Sequence, residues 1–593
     1  MNPIPAPQIA QALQHAIDRH RVGRLSEAVA LYRQILSAMP GQVDVHRYLG
    51  QALLRLGRLG EAIDTYVQAL RGSERGDLRG EFVQIIRSAF FQAPHAEVQA
   101  LLVRALDEVW ADPGELLTPA ASLVEANPAV REGLACADAA WSPALRAGIA
   151  ADPLLRALLR SDTISSIALE RLLTRARRQM LDEAVAGAGA DPLPAFHAAL
   201  AGQCFINEYV WACSDHEVQQ LAVLHRRLAT SQADGAAPDA RWLVACAAYA
   251  PLSQLPGAQA WAARPWSGPL SALFVQQVIE PAAERAFGAG IPRLTPIDDP
   301  VSRQVQAQYE QNPYPRWVHA ARPAGPAPID SLLRQQFPRA PWQPVQRAGP
   351  LDVLVAGCGT GQHAIQVAQQ FAGARVLAVD LSLASLGYAE RKTAEFGLTN
   401  IEYAQADILR LGTTDRRFDL IESAGVLHHL ADPVAGWRVL GGLLRPGGLM
   451  MLGLYSELGR RDVVAARARV ASQVLPSQAA DIRLCRQALM GDALASQFEQ
   501  FLASRDFYST SACRDLLFHV QEHRFTLPQL KAILAQLGLN FIGFMPDPEV
   551  AAAYAHQFPD DPARIDLDRW HAFETARPET FARMYQFWVQ KPL

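Results

Sequence analysis

The chain has 593 residues, of which 50% are apolar and 19% charged; this is too long for one hydrophobic core and ordinary for globular protein, so two to four packed units are expected. A formal net charge of −4, with no long run of Lys and Arg, excludes the electrostatic footprint of a nucleic-acid binder or of a protein held on an anionic membrane. The cysteines, Cys136, Cys204, Cys213, Cys246, Cys358, Cys485 and Cys513, have neither disulfide nor zinc spacing, the start Met-Asn-Pro-Ile-Pro lacks an export signal, and no stretch approaches the roughly 18 apolar residues of a membrane span. A soluble, cytoplasmic chain without a metal site is expected.

Residues 1–80 contain a repeat. Gly23-Arg24-Leu25-Ser26-Glu27-Ala28 returns as Gly57-Arg58-Leu59-Gly60-Glu61-Ala62, and Tyr32 returns as Tyr66, all at an offset of 34 residues. Small residues let paired helices approach and the tyrosines fill the space between them, as in tetratricopeptide repeats, with Pro40 ending a helix. Two such repeats bury too little to stand alone, so helices should pack behind them. Residues 81–300 supply apolar residues at helical spacing without the 34-residue period, as in Leu154-Leu155-Arg156-Ala157-Leu158-Leu159.

Residues 301–350 open on Tyr309-Glu310-Gln311-Asn312-Pro313-Tyr314-Pro315-Arg316-Trp317 and end in a proline-rich connector. Two prolines hold the aromatic segment extended, so it is expected either to fold over a ligand as a lid or to pack as a linker. Tyr309, Tyr314 and Trp317 are its candidate substrate contacts.

From Leu351 the pattern becomes strand, glycine turn, helix, strand. Val353–Ala356, Arg375–Val379, Ile401–Ala404, Phe418–Ser423 and Leu449–Leu454 read as strands, followed by Leu539–Phe544 and Met584–Val589. This predicts an α/β doubly wound sheet over 351–593, with a cap inserted at about 456–536 near the carboxyl ends of the strands. Gly357-Cys358-Gly359-Thr360-Gly361 follows the first strand and opens a helix, bringing backbone amides to a ligand. Asp380, Asp407 and Glu422 close the next three strands, where carboxylates accept from ribose hydroxyls and an adenine amino group. The loop is Gly-x-Gly-x-Gly rather than the Gly-x-Gly-x-x-Gly of dinucleotide oxidoreductases.

This series, with Val426-Leu427-His428-His429-Leu430-Ala431-Asp432-Pro433 after the fourth strand, resembles the class I S-adenosylmethionine-dependent methyltransferases. The likeness is strongest to the ubiquinone and menaquinone C-methylase branch, and the whole chain resembles bacterial methyltransferases that carry tetratricopeptide repeats. The resemblance implies a Rossmann-like, mostly parallel sheet with an antiparallel last strand, and S-adenosyl-L-methionine as cofactor. It implies that Gly357, Cys358, Gly359 and Gly361 face the methionine part, that Asp380 and Leu381 hold the ribose, and that Asp407 and Ile408 hold the adenine. Val355 stands where the family usually has an acid. Glu422 is read either as its replacement or as a locally bonded carboxylate. The place of the Asn-Pro-Pro-Tyr of amide and adenine N-methyltransferases is taken by Ser423-Ala424-Gly425-Val426.

His428 and His429 are the candidate bases, since imidazole removes a proton near neutral pH. In the cap, Tyr508, Arg514, His519 and His523 are candidate substrate contacts, with Cys513 and Asp515 beside them. His519-Val520-Gln521-Glu522-His523 matches a zinc-protease pattern on a helix, but no third ligand is identifiable and a zinc reading is set aside. Methyl transfer to a protein or peptide brought by the repeats is the leading expectation. The alternatives are a small-molecule O-, N- or C-methyltransferase whose helical region regulates or dimerises it, and a non-catalytic scaffold.

Overall fold

The computed structural model describes residues 9–71, 73–136, 141–187, 193–266, 268–323, 325–345, 349–471, 478–491 and 499–593. Parts of the expected connector at 322–350 and of the cap at 456–536 lie outside them. The chain divides into two compact units, one of residues 1–176, 190–203 and 318–324, the other of 177–189, 204–317 and 325–593. The stretch 81–300 is thus shared between them.

The first unit is helical. Its repeats form α1 (Ile9–Arg21), α2 (Leu25–Ala38), α3 (Val43–Arg55) and α4 (Leu59–Leu70). Gly23 and Gly57 turn the chain between helices with φ of 80° and 74°, a conformation glycine adopts without steric cost. Ala28, Tyr32, Ala62 and Tyr66 are buried, and a Cβ on Gly50 would stand 2.3 Å from the Tyr66 ring. The Tyr66 hydroxyl donates to Glu81 Oε2 at 2.5 Å, tying the repeats to the helix Gly76–Ile86 behind them. Further helices follow to Ser161, the last capped by the buried Asp152, which also accepts from Gln99 and Asn127.

The second unit is built on a seven-stranded sheet: β1 (Leu351–Ala356), β2 (Ala374–Asp380), β3 (Ile401–Gln405), β4 (Phe418–Ala424), β5 (Leu444–Leu454), β6 (Asn540–Phe544) and β7 (Tyr585–Gln590). Their spatial order is β3-β2-β1-β4-β5-β7-β6, parallel except where β7 runs antiparallel to β5 and β6. β5 starts earlier than Leu449 because Leu444 already pairs with Phe418, a register shift absorbing the residues between. Both faces are covered. Leu354, Ile421 and Met450 pack with Trp437, Tyr554 and Trp570 on one side, and Val353, Val355 and Leu420 with Ala364, Val367 and Ala389 on the other. Strand order reverses between β1 and β4, which opens a crevice at their carboxyl ends. Among the described residues no helix is long and apolar enough to cross a membrane.

Candidate active site

At the β1–β3 end the crevice is made of main chain and carboxylates. Gly357, Gly359 and Gly361 have φ of 78°, 51° and 83°. A Cβ on Gly359 would lie 2.5 Å from the Tyr314 carbonyl oxygen, and one on Gly361 2.5 Å from Ala389 Cβ. The loop therefore has room only for glycine at these points. Cys358, between them, is buried, and burial pushes its thiol well above the ordinary range. Asp380, at the tip of β2, accepts from the Gly359 N–H at 2.8 Å and the Ser382 N–H at 2.9 Å. Burial raises its carboxyl, and these N–H groups oppose the rise. The Leu381 carbonyl accepts from Gln405 Nε2 at 2.8 Å.

At the tip of β3, Asp407 caps the short helix Ile408–Thr413 through the Leu409 N–H at 2.9 Å, while its other oxygen, Oδ2, is buried without a hydrogen bond among the described residues. Burial pushes this carboxyl up as well. Ile408 packs into the sheet core with Leu354 and Trp437. Glu422 is the register partner of Val355, and paired residues on parallel strands point to one face. Glu422 Oε2 meets His363 Nε2 at 2.5 Å, one strand over from Val355.

The aromatic segment is fastened over the loop. The Thr360 hydroxyl donates to the Pro315 carbonyl, and Trp317 Nε1 donates to the Thr360 carbonyl at 3.2 Å. Glu310 accepts from the Leu383 and Ala384 N–H groups at the start of the helix Leu383–Phe396. Trp317 is buried against Tyr388 and Phe396.

At the β4–β5 end the crevice is made of side chains. The helix Thr510–Phe518 stops before His519, so the His-x-x-Glu-His residues are not on one helical face. Instead the chain runs back along the sheet edge: the His523 N–H donates to the His428 carbonyl at 2.8 Å and the Phe525 N–H to the Tyr455 carbonyl at 2.9 Å. The three residues then part. His519 joins His429, Glu522 pairs with Arg460 at 2.7 Å and Arg467 at 3.0 Å, and His523 meets the Gln521 side chain at 2.9 Å.

The peptide around Gln521 sets both imidazoles. Its carbonyl lies 2.7 Å from His429 Nδ1 and must accept a proton there, leaving Nε2 of the neutral ring as a base. Its N–H donates to His519 Nδ1 at 3.1 Å, leaving the proton on Nε2 to point to the Tyr309 hydroxyl at 3.2 Å. That hydroxyl donates in turn to Asp515 Oδ1 at 2.6 Å. Burial pushes His428, His429 and His519 below the ordinary imidazole range, so all three are neutral at pH 7. His428 is fully buried, stacked on Tyr455 with centroids 3.8 Å apart, and among the described residues neither of its ring nitrogens has a hydrogen-bond partner.

Ligand atoms of His429, Asp515 and His519 lie within 4.8 Å of one another. The two imidazoles are stacked 3.6 Å apart at 19°, however, so their in-plane lone pairs run side by side instead of converging at the roughly 2 Å a metal requires. The arrangement is a hydrogen-bonded relay.

Of the other cap residues, Arg514 donates to Gln311 at 2.8 Å and Asn312 at 2.7 Å, joining cap to lid. Tyr508 is 2% exposed and donates to the Leu502 carbonyl, away from the cluster. Sequence reasoning missed Tyr455, Arg460, Arg467 and Asp506. Tyr455 follows β5 directly, and its place just past a strand's carboxyl end was the available signal.

A family model described as a methyltransferase domain matches residues 353–448, and one described as a tetratricopeptide repeat matches residues 20–72. The chain is similar to an uncharacterized protein of Synechococcus sp., 27% identical over 269 residues that cover 42% of this chain and 61% of that one. It is similar to the ubiquinone biosynthesis O-methyltransferase of Methylocella silvestris, 34% identical over 138 residues, covering 22% of this chain and 52% of that one. Among solved structures, PKMT2 from Rickettsia typhi in complex with AdoHcy aligns with 43% of this chain and 51% of its own, with a TM-score of 0.33 and 16% identity. The chain thus spans between 52% and 61% of these curated relatives. It carries a methyltransferase domain behind tetratricopeptide repeats.

Proposed function

We propose that this chain transfers a methyl group from S-adenosyl-L-methionine, with the nucleoside at the β1–β3 end of the crevice and the acceptor at the β4–β5 end. The observation that carries the reading is the pair of carboxylates, Asp380 and Asp407, at successive strand tips beside a glycine loop where strand order reverses. Asp380 keeps lone pairs for two ribose hydroxyls, and the unbonded Asp407 Oδ2 suits an adenine amino group. Ile408 and Leu381 flank those carboxylates, and Gly357, Cys358, Gly359 and Gly361 line the methionine end. Glu422, on the face where Val355 has no charge, receives the cofactor's ammonium together with His363.

S-adenosyl-L-methionine supplies a methyl group on a sulfonium, electrophilic without further activation. The protein's part is to align the acceptor, exclude water and hold a proton. His429 Nε2 is the base, because its Nδ1 is committed to the Gln521 carbonyl. Tyr309 and Tyr314 bring the lid over the acceptor, with Arg514 joining the lid to the cap and His519 and Asp515 orienting Tyr309.

The repeats, whose helical surfaces commonly bind polypeptide, support a protein or peptide as the acceptor. The ubiquinone biosynthesis relatives favour a second reading, a small molecule. Calorimetry with S-adenosylhomocysteine tests the cofactor site. Mass spectrometry of a lysate treated with full-length enzyme and methyl-labelled cofactor separates the acceptors. No binding of S-adenosylhomocysteine at millimolar concentration would sink the methyl-transfer reading.

A further inference from the structure

Among the described residues of the cap, the carboxylates differ in their partners. Glu522 is enclosed by Arg460, Arg467 and Arg524, and Arg467 spends its remaining donors on the Leu516 and Asp515 carbonyls. Asp506 and Asp515 meet no Lys or Arg within ion-pair distance among the described residues; their partners are phenols. Tyr314 donates to Asp506 Oδ1 at 3.2 Å and Tyr309 to Asp515 Oδ1 at 2.6 Å. The Tyr455 ring lies between His428, stacked with centroids 3.8 Å apart, and the Arg460 guanidinium, 3.7 Å from its centroid; Arg460 is the nearby cation that acts on Asp506 and Asp515 without pairing with either. Like charges held together away from water are costly unless a counter-charge arrives.

A second observation points to the same place. His428, buried and stacked on Tyr455, has two ring nitrogens without a partner among the described residues, and a buried polar group left so is costly. A ligand carrying N–H groups would satisfy such an acceptor. Tyr309, Tyr314 and Asp506 are only partly buried.

We propose that Asp506, Asp515 and the phenols of Tyr309, Tyr314 and Tyr455 form a binding site for an ammonium group, and that this amine nitrogen is the methyl acceptor. The proposal rests on the methyl-transfer reading and narrows it to N-methylation of an amine. Carboxylates and aromatic rings are the chemistry that holds an ammonium in place of its water. In the reaction the ammonium first gives one proton to His429 Nε2. The nitrogen lone pair then forms the N–C bond as the C–S bond breaks, its electron pair passing to sulfur. The product is an N-methylammonium and a neutral thioether, and the imidazolium returns its proton to solvent.

The test uses full-length protein saturated with S-adenosylhomocysteine and three probes of one shape: n-butylammonium, n-butanol and butyrate, observed by saturation-transfer NMR. n-Butylammonium should bind saturably and displace neither of the others, which should not saturate. Asp506→Asn and Asp515→Asn should each weaken it at least tenfold while leaving S-adenosylhomocysteine affinity unchanged, which also shows that the variants fold. Asp506→Glu, which keeps the charge, should retain binding. Equal binding of the three probes, a preference for butyrate, or ammonium binding indifferent to both Asn variants overturns the proposal. Failure of S-adenosylhomocysteine to bind overturns methyl transfer itself, whereas its binding without ammonium preference overturns only the present inference.

Discussion

The two ends of the crevice are built from different materials. At the β1–β3 end the protein offers backbone amides of one short loop and carboxylates at consecutive strand tips. At the β4–β5 end it offers side chains from 309–314, 428–429, 455–467 and 506–523, brought together by the lid and the cap. The first end depends on where strands stop, which is local. The second depends on long connections returning to the sheet edge, which is not. On the proposed reading, a nucleoside common to many enzymes takes the end the fold fixes, and the variable acceptor the end the loops decide.

The largest effect should come from breaking the side-chain end alone. His429→Gln should lower the single-turnover rate by about a hundred- to ten-thousandfold with S-adenosylhomocysteine affinity unchanged. Because burial holds the imidazole below its usual range, it is already basic at pH 7. The wild-type rate should fall only as pH drops well under 6.5, and the variant should lose that limb. A variant with the wild-type rate and profile would assign the proton elsewhere.

Asp380→Ala is the reciprocal cut. Loss of charge-assisted bonds to the ribose should weaken S-adenosylhomocysteine by roughly ten- to a hundredfold in calorimetry. n-Butylammonium binding should persist. Loss of both ligands together would mean that the two ends are one site.

Stability against pH sharpens the contrast further. His428, His429 and His519 have depressed folded values, so below pH 6.5 the unfolded chain binds protons that the native chain refuses. Stability is therefore complete above that pH and falls as pH falls, by up to about 1.4 kcal/mol per pH unit for each imidazole. His428→Phe, which keeps the stack on Tyr455, should flatten the slope between pH 6.5 and 5 in denaturant titrations. An unchanged slope would show that His428 is protonated in the native state.

The smallest effect on the crevice should come from the other unit. Gly50→Val drives a side chain into the Tyr66 ring and should destabilise the repeats by about 1–3 kcal/mol. Cofactor affinity should stay as it is. A tenfold change in S-adenosylhomocysteine affinity would contradict independent cores.

How much of this was legible in the sequence follows the same division. The strands of the sheet stand within a few residues of their expected places, because β-branched runs closed by glycine or an acid are read over five or six residues. The 34-residue repeat was legible for the same reason, since Ala28, Tyr32, Ala62 and Tyr66 recur where paired helices touch. The cap was not. His519 and His523 looked like helical neighbours, yet the helix ends at Phe518 and the following backbone bonds to His428 and Tyr455 instead. Trp317 and Tyr508 carried the composition of contact residues, but their rings turn inward to Tyr388 and Phe507. Nothing in the spacing of Asp506 and Asp515 showed that phenols 192 and 206 residues earlier would bond to them.

Gly359 leaves no gap between the nucleotide loop and the lid: the Tyr314 carbonyl rests where its side chain would be, and Thr360 is gripped by Pro315 and Trp317. Residues 314–317 and 357–361 therefore form one interlocked part, although some forty residues separate them in the chain. On the proposed reading, a graft that moves the acceptor site into another scaffold must carry both pieces, because a foreign loop beneath this segment would lift Tyr314 off Asp506. On that reading, a change at the acceptor end reaches the glycine loop through a carbonyl oxygen and a threonine hydroxyl.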